Sequence, residues 1–283
     1  MKTSKLLFLL PYLLGSIILL IIPAGLFGQE SLNTEPDAQQ YFLGVKLGVN
    51  DFHAKDNYIS PDIYHGKLFS ADISFRAQSK KFTHEAELFY SIGKPALAEE
   101  SPNINQNIAS LSYALFYNVK MLKVNGSPLR LELGTGLSSF VMNSDFILNG
   151  MYGLGKYTDQ AWYWSHSLNL FTRGEYSISE DQEALIQIGM PILRLVSRPV
   201  NGHWMSGKNQ EVLLNSFFNA ATGGKMEFFT ERLVINCYLR YTYKLNNGLN
   251  ICGSYGFNFI SSNDPLPMKS YMNVFLIGLD VKL

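Results

Sequence analysis

The stretch Asn273–Leu283, "NVFLIGLDVKL", decides the fold. Counting back to Tyr271, the odd positions are Tyr271, Asn273, Phe275, Ile277, Leu279, Val281 and Leu283, while the even ones include Ser270, Gly278, Asp280 and Lys282. One face is apolar and the other mixed, with strict alternation up to the final residue. Alternation at period two marks a strand lying between two different environments. Here the greasy face is read as meeting lipid, and the strand as one that closes a barrel.

Working outward, the same alternation recurs ten times, over roughly 40–51, 67–78, 81–93, 107–122, 128–141, 160–178, 183–195, 231–245, 248–261 and 269–283. Most of these segments exceed the roughly 9–11 residues that a tilted membrane strand needs. Soluble strands average about 5–6 residues, so the length carries information. Short turns, "SK", "KVNGSP", "SEDQ" and "NNG", follow the even-numbered segments, whereas longer stretches follow the odd-numbered ones. These include "HAKDNYISPDIYHG", "GKPALAEESPNINQ", 142–159, 196–230 and "SSNDPLPMK". Short turns at one end, long loops at the other and an even strand count predict an all-β, antiparallel transmembrane barrel of 10 strands over 40–283, with both termini on the periplasmic side. A 12-strand version using part of 210–230 stays open. In the last hairpin both greasy sets are odd-numbered, so its loop must hold an odd number of residues, and "NNG" fits with Gly248 left-handed.

The other face collects Lys46, Asp72, Arg76, Glu85, Glu87, Lys120, Arg130, Glu132, Arg173, Glu175, Arg240, Lys244, Asp280 and Lys282. A basic side chain facing lipid at the bilayer midplane costs roughly 2–4 kcal/mol, so this segregation identifies the lumen. Trp162, Trp164, Tyr113, Tyr117, Tyr241, Tyr243, Phe257 and Phe259 fall on the lipid side, several near strand ends where interfacial belts form. Acids and bases are near balance within the luminal set. Glu85 and Glu87, Arg130 and Glu132, and Arg173 and Glu175 each stand one strand step apart, which suits cross-strand pairing. The expectation is a lumen plugged by ion pairs, since a buried charge without a partner is costly. A conductive pore is the alternative.

Residues 1–28 begin with Lys2 and Lys5, run through an apolar stretch and end among small and helix-breaking residues, the order of a secretory signal cleaved after Gly28. An uncleaved anchor is the competing reading, because the stretch is long enough to span a bilayer. Residues 29–39 are then a short periplasmic segment before the barrel. Charged residues make up only 16% and aromatic ones 13%, against about 25% charged in soluble domains. Lys and Arg total 23, matching 23 Asp and Glu, which excludes a strongly basic nucleic-acid binder. Cys237 and Cys252, the only cysteines, fall on opposite faces of neighbouring strands and are expected as free thiols.

Gly278 followed by Val281 and Leu283 resembles the C-terminal insertion signal of bacterial outer-membrane barrels, which implies outer-membrane lipid and the barrel assembly machinery as partners. The final Leu, where an aromatic is usual, and Leu276, where a polar residue is commoner, depart from that pattern. "LFGQ" at the signal boundary and the opening "YFLGVKLGVN" resemble small outer-membrane barrels of the Bacteroidota. That resemblance covers the two ends and the layout, and contains no catalytic motif.

The histidines and acids form no complete catalytic constellation in the sequence. Outer-membrane phospholipase A and lipid A deacylase carry a His-x-Ser pair, but His53, His65, His84, His166 and His203 are followed two positions later by Lys55, Lys67, Ala86, Leu168 and Met205. His166 shares the outward face with Trp164 and reads as an interfacial anchor. Asp51 and His53 resemble the Asp-x-His half of the omptin proteases, whose companion Asp-x-Asp is absent from the chain. No metal-ligand spacing or phosphate loop emerges, and no cofactor is expected. Function is therefore expected in the loops. The 196–230 loop carries Trp204, Phe217 and Phe218 as candidate contacts for an envelope protein or surface ligand, or as a cap over the mouth. The expectation is a non-enzymatic structural or binding barrel. A narrow solute channel and an outer-membrane hydrolase or protease are the alternatives.

Overall fold

Long strands that alternate apolar with polar residues can satisfy their backbone in lipid only by closing on themselves, and this chain does so. The computed structural model describes residues 39–57, 60–97, 104–149, 156–198, 224–228, 234–245, 248–263 and 267–283. Twelve strands result: β1 Gln40–Asp56, β2 Ser60–Gln78, β3 Phe82–Gly93, β4 Ala96–Leu97, β5 Ile104–Val124, β6 Ser127–Asn149, β7 Lys156–Ser177, β8 Gln182–Ser197, β9 Lys225–Phe228, β10 Val234–Lys244, β11 Leu249–Ser262 and β12 Met268–Lys282. Ten of them form an antiparallel ring in the order β1, β2, β3, β5, β6, β7, β8, β10, β11, β12. The seam is the β1–β12 ladder, from Phe42 opposite Lys282 to Asp56 opposite Met268. The terminal Leu283 N–H donates to the Tyr41 carbonyl at 2.9 Å, so the closing strand is paired to its end.

The two remaining strands are short. β4 pairs with the outer part of β2, and β9 pairs with the far half of β8 while β10 takes the near half. The barrel therefore has ten strands, and the 12-strand version falls. Lys225–Phe228, within the stretch expected as the 196–230 loop, is strand.

The turns follow their residues. Asn125 and Gly126 both have positive φ and form a two-residue hairpin between Val124 and Ser127, tighter than the six-residue turn expected, because Asn-Gly accepts the left-handed pair that strand twist favours. Gly248, at φ 79°, closes the β10–β11 loop as expected.

At the long-loop end the strands outrun the sequence reading. β1 continues to Asp56 and β2 starts at Ser60; β6 continues to Asn149 and β7 starts at Lys156. Beyond the bilayer the outer face no longer has to be apolar, so the period-two contrast fades while the ladder goes on. No helix among the described residues is long and apolar enough to cross a membrane; the crossing elements are strands.

The outer surface is an apolar belt: Leu47, Phe69, Leu137, Ile188, Leu239, Phe275 and Ile277 are all exposed there. On β1 it runs from Tyr41 to Val49, roughly 27 Å of strand at about 3.4 Å per residue. At the long-loop half of the interior is an apolar core of Phe52, Tyr64, Leu68, Ile104, Ile108, Met142, Tyr163, Ile260, Met268 and Met272.

Candidate functional site

The luminal face of the strands builds the candidate site, and its charges reach across the bore. Glu85 on β3 binds Arg173 on β7 and lies 3.8 Å from Arg240 on β10. β3 and β10 stand five places apart in a ring of ten, on opposite walls. Arg76 on β2 meets Glu175 on β7 at 3.8 Å, again across the lumen. Glu132 forms ion pairs with Arg130 at 2.9 Å and with Arg173 at 3.6 Å. Thr83 Oγ1 donates to Glu132 at 3.0 Å, and Arg173 donates further to Gln187. The Arg173 guanidinium also stacks 3.5 Å above the Phe116 ring. Glu132, Arg173 and Arg240 are almost entirely buried, and Glu85, Arg130 and Glu175 largely so.

Of the expected luminal residues, Lys46, Asp72, Arg76, Glu85, Arg130, Glu132, Arg173, Glu175 and Arg240 are thus brought into ion pairs, with a different pairing logic. Cross-strand neighbours were expected to compensate each other. Of the pairs, Lys46 with Asp72, 2.5 Å apart, and Glu132 with Arg173 follow the ladder register. Arg130 with Glu132 lies within β6, whereas Glu85 with Arg173 and Arg240, and Arg76 with Glu175, link strands that do not touch, because the bore is narrow enough for long side chains from facing walls to meet. Lys244 binds Glu183 near the short-turn rim. Asp280 accepts from the Cys252 thiol at 3.1 Å, and Glu87 forms no ion pair among the described residues. Cys252 is buried in the lumen and Cys237 faces out, both free.

Two β-bulges redirect charges that parity alone misplaces. The extra residue between Asn118 and Lys120 turns Lys120 to the outer face, opposite Leu131, rather than into the lumen. On β8 the register shift opposite Leu168 and Asn169 turns Arg194 inward. There it pairs with Glu227 of β9 at 2.9 Å and donates to the Tyr163 hydroxyl at 3.2 Å. Arg198, just past β8, meets Asp56 at the end of β1 across the mouth at 2.7 Å. This second ionic layer was missed. Pro191 was its available signal, since a proline within a strand favours a bulge or an edge.

The lumen is therefore closed in three layers: ion pairs near the short turns, the apolar core, and the Arg194 and Arg198 pairs near the mouth. Between the first two lies Ser70, donating to Ser91 at 3.0 Å, and within the apolar core Ser144 donates to Gln106 at 2.6 Å.

The outward chemistry differs from the enzymatic expectations. Asp51 and His53 are bonded at 3.3 Å, yet both project from the outer face of β1, so they are not aimed into the barrel mouth. Their position follows from parity with Val49 and Lys55. His166 faces outward beside Trp164. Across the ladder stands Ser139, on the neighbouring strand and outside any His-x-Ser spacing, and Trp164 Nε1 donates to Ser139 Oγ at 3.3 Å. No group of His, Cys, Asp and Glu suited to a metal occurs among the described residues. A concavity of about 850 Å³ indents the outer wall around Gly253, lined by Leu47, Tyr241, Tyr255 and Ile277. Trp204, Phe217 and Phe218 lie outside the described residues, as do residues 1–28.

Gly278 is required by the seam. It is paired with Lys46, and a Cβ there would lie 2.0 Å from the Val45 carbonyl oxygen and 2.6 Å from the Lys46 Cα. Val281 and Leu283 face outward and are exposed.

The barrel aligns with OmpT, an outer-membrane protease of Escherichia coli, over 90% of this chain and 99% of that one, with a TM-score of 0.52 and 10% identity. The fold is that of an outer-membrane β-barrel. The β domain of the Bordetella autotransporter BrkA aligns over 87% of this chain and 100% of its own at TM-score 0.46 and 10% identity. The translocator domain of NalP from Neisseria meningitidis aligns over 95% of each chain at TM-score 0.38 and 10% identity. No protein-family model and no curated protein matches the sequence.

Proposed function

We propose that this chain is a closed, non-conducting outer-membrane barrel that serves as a rigid scaffold, and that its long loops bind another envelope protein or a surface ligand. The observation that supports this reading is Glu85 bound between Arg173 and Arg240, joining opposite walls of the bore. A path for solutes would need those groups hydrated and apart, and the apolar core beyond them offers water no partners. Export by the signal at 1–28 and insertion by the barrel assembly machinery through Gly278, Val281 and Leu283 belong to the same reading. So do a Bacteroidota-type barrel and a role without a cofactor or catalysis. The outward placement of Asp51 and His53, with no Asp-x-Asp companion, gives no support to an omptin-like protease.

Two arms test the proposal. Liposomes carrying the refolded protein are expected not to swell in small sugars; swelling at porin-like rates makes the chain a channel. In native membranes, a Trp204→Ala, Phe217→Ala and Phe218→Ala triple variant is expected to lose the cross-links that the wild type forms. Cross-links unchanged by the triple variant would remove these aromatics from the contact.

A further inference from the structure

The outer face of the barrel carries a second, unassigned cluster just past the apolar belt at the long-loop end. On β1 the outward series passes from Val49 through Asp51 and His53 to Lys55; on β12 it passes from Phe275 through Asn273 and Tyr271 to Lys269; on β2 it passes from Phe69 to Lys67 and His65. The register sets Lys55 directly opposite Lys269. It also sets His53 opposite both His65 and Tyr271, and the three rings stack with centroids 5.3 and 4.4 Å apart. Leu68 pairs with Gly93 and His65 with Ala96, so the same register brings Lys94 beside Lys67. All four lysines are exposed, and their side chains have no hydrogen-bond or ion-pair partner among the described residues.

Directly opposed like charges destabilise a sheet, and here two lysine pairs flank one stack of rings. Asp51, opposite Lys67 in the β1–β2 register, is the patch's one carboxylate among the described residues; its oxygen is engaged by His53 and it forms no ion pair with Lys67. Such an arrangement is stable when an anion lies between the charges. The position says which anion. The patch starts one strand step past Val49, Phe69 and Phe275, where acyl chains packed on the belt give way to their headgroups.

We propose that Lys55, Lys67, Lys94 and Lys269 bind the phosphates of a lipid headgroup in the leaflet bordering the long loops. One phosphate lies at the Lys55 and Lys269 pair, another at the Lys67 and Lys94 pair, and the His65–His53–Tyr271 stack forms a flat wall between them. The proposal is independent of whether the lumen conducts.

Native mass spectrometry of the refolded full chain in neutral detergent tests it. The probes are a diphosphorylated disaccharide glycolipid, its phosphate-free counterpart and inorganic phosphate. The wild type is expected to bind the diphosphorylated form at least about tenfold more tightly than the phosphate-free form, charge-assisted contacts being the stronger kind. Lys55→Gln with Lys269→Gln, and Lys67→Gln with Lys94→Gln, should each remove most of that preference. Lys120→Gln with Lys123→Gln, exposed at the other end, should leave it unchanged. Heat-dependent gel mobility confirms that each variant is folded. In detergent alone, Lys55→Gln with Lys269→Gln should raise the melting temperature by relieving repulsion, and should lower it relative to wild type once the diphosphorylated lipid is added. Equal affinity for both glycolipids, or a preference untouched in the patch variants, overturns the proposal. Saturation by inorganic phosphate at the same concentrations as the lipid overturns the lipid as its source.

Discussion

Replacing Glu85 by Gln keeps the shape of the side chain and removes the one carboxylate shared by Arg173 and Arg240. Both guanidiniums are almost fully buried, with side-chain exposures of 2% and 5%. Breaking a buried pair by removing one partner costs about 3–5 kcal/mol, because the remaining charge is left uncompensated in a poor solvent. Arg173 keeps Glu132 at 3.6 Å and Gln187 at 3.0 Å, and the Arg240 contact is long, so the lower end applies. The expected loss is roughly 3 kcal/mol, about two decades in the unfolding equilibrium. Urea unfolding in vesicles, followed by tryptophan fluorescence, reads it. Glu87→Gln is the internal control: it lies one strand step away on the same face but joins no ion pair among the described residues, and is expected to cost less than about 1 kcal/mol. Losses below about 1 kcal/mol in both variants would refute the reasoning, since they would mean that both carboxylates are hydrated and the bore is open to water.

Three further outcomes follow from the geometry. Gly278→Ala places a methyl against the Val45 carbonyl at the closing seam; a cost of at least about 1–3 kcal/mol is expected, seen as a smaller heat-modifiable folded fraction, and a wild-type fraction would contradict the seam. In the folded protein a small lipid-soluble thiol reagent should modify Cys237 before Cys252, which is buried beside Asp280; the reverse order would exchange the two faces. Fluorescence from Trp162 and Trp164, with Trp204 replaced by Phe, should be quenched by lipids brominated near the headgroup more than by a water-soluble quencher, and the opposite ranking would remove them from the outer face.

What the residues disclosed follows from which solvent constrains them. Lipid forbids charge on the outer face, so the odd positions of Tyr271–Leu283 reveal their orientation, and Gly248 reveals its turn. Past the belt, Asp51, His53 and Lys55 leave the hydrocarbon, where polar side chains are allowed; the contrast vanishes there and the ends of β1, β2, β6 and β7 read as loop. The bulges that move Lys120 out and Arg194 in leave alternation intact on either side, and only the phase changes. Luminal charges could be assigned to a face but not to partners, since Glu85 and Arg240 are far apart in sequence and in strand order. The apolar half of the lumen stayed hidden because Leu68, Ile104, Ile108 and Met272 look like any buried strand residues, while the inner face was identified by its charges.

The central claim is that side chains close this barrel, and single-channel recording of the refolded protein in planar bilayers tests it most directly. The wild type is expected to stay silent, while a Glu85→Ala, Arg173→Ala and Arg240→Ala variant, stripped of the groups that join opposite walls, is expected to leak intermittently. Steady unitary conductance from the wild type would contradict the account and make the chain a pore.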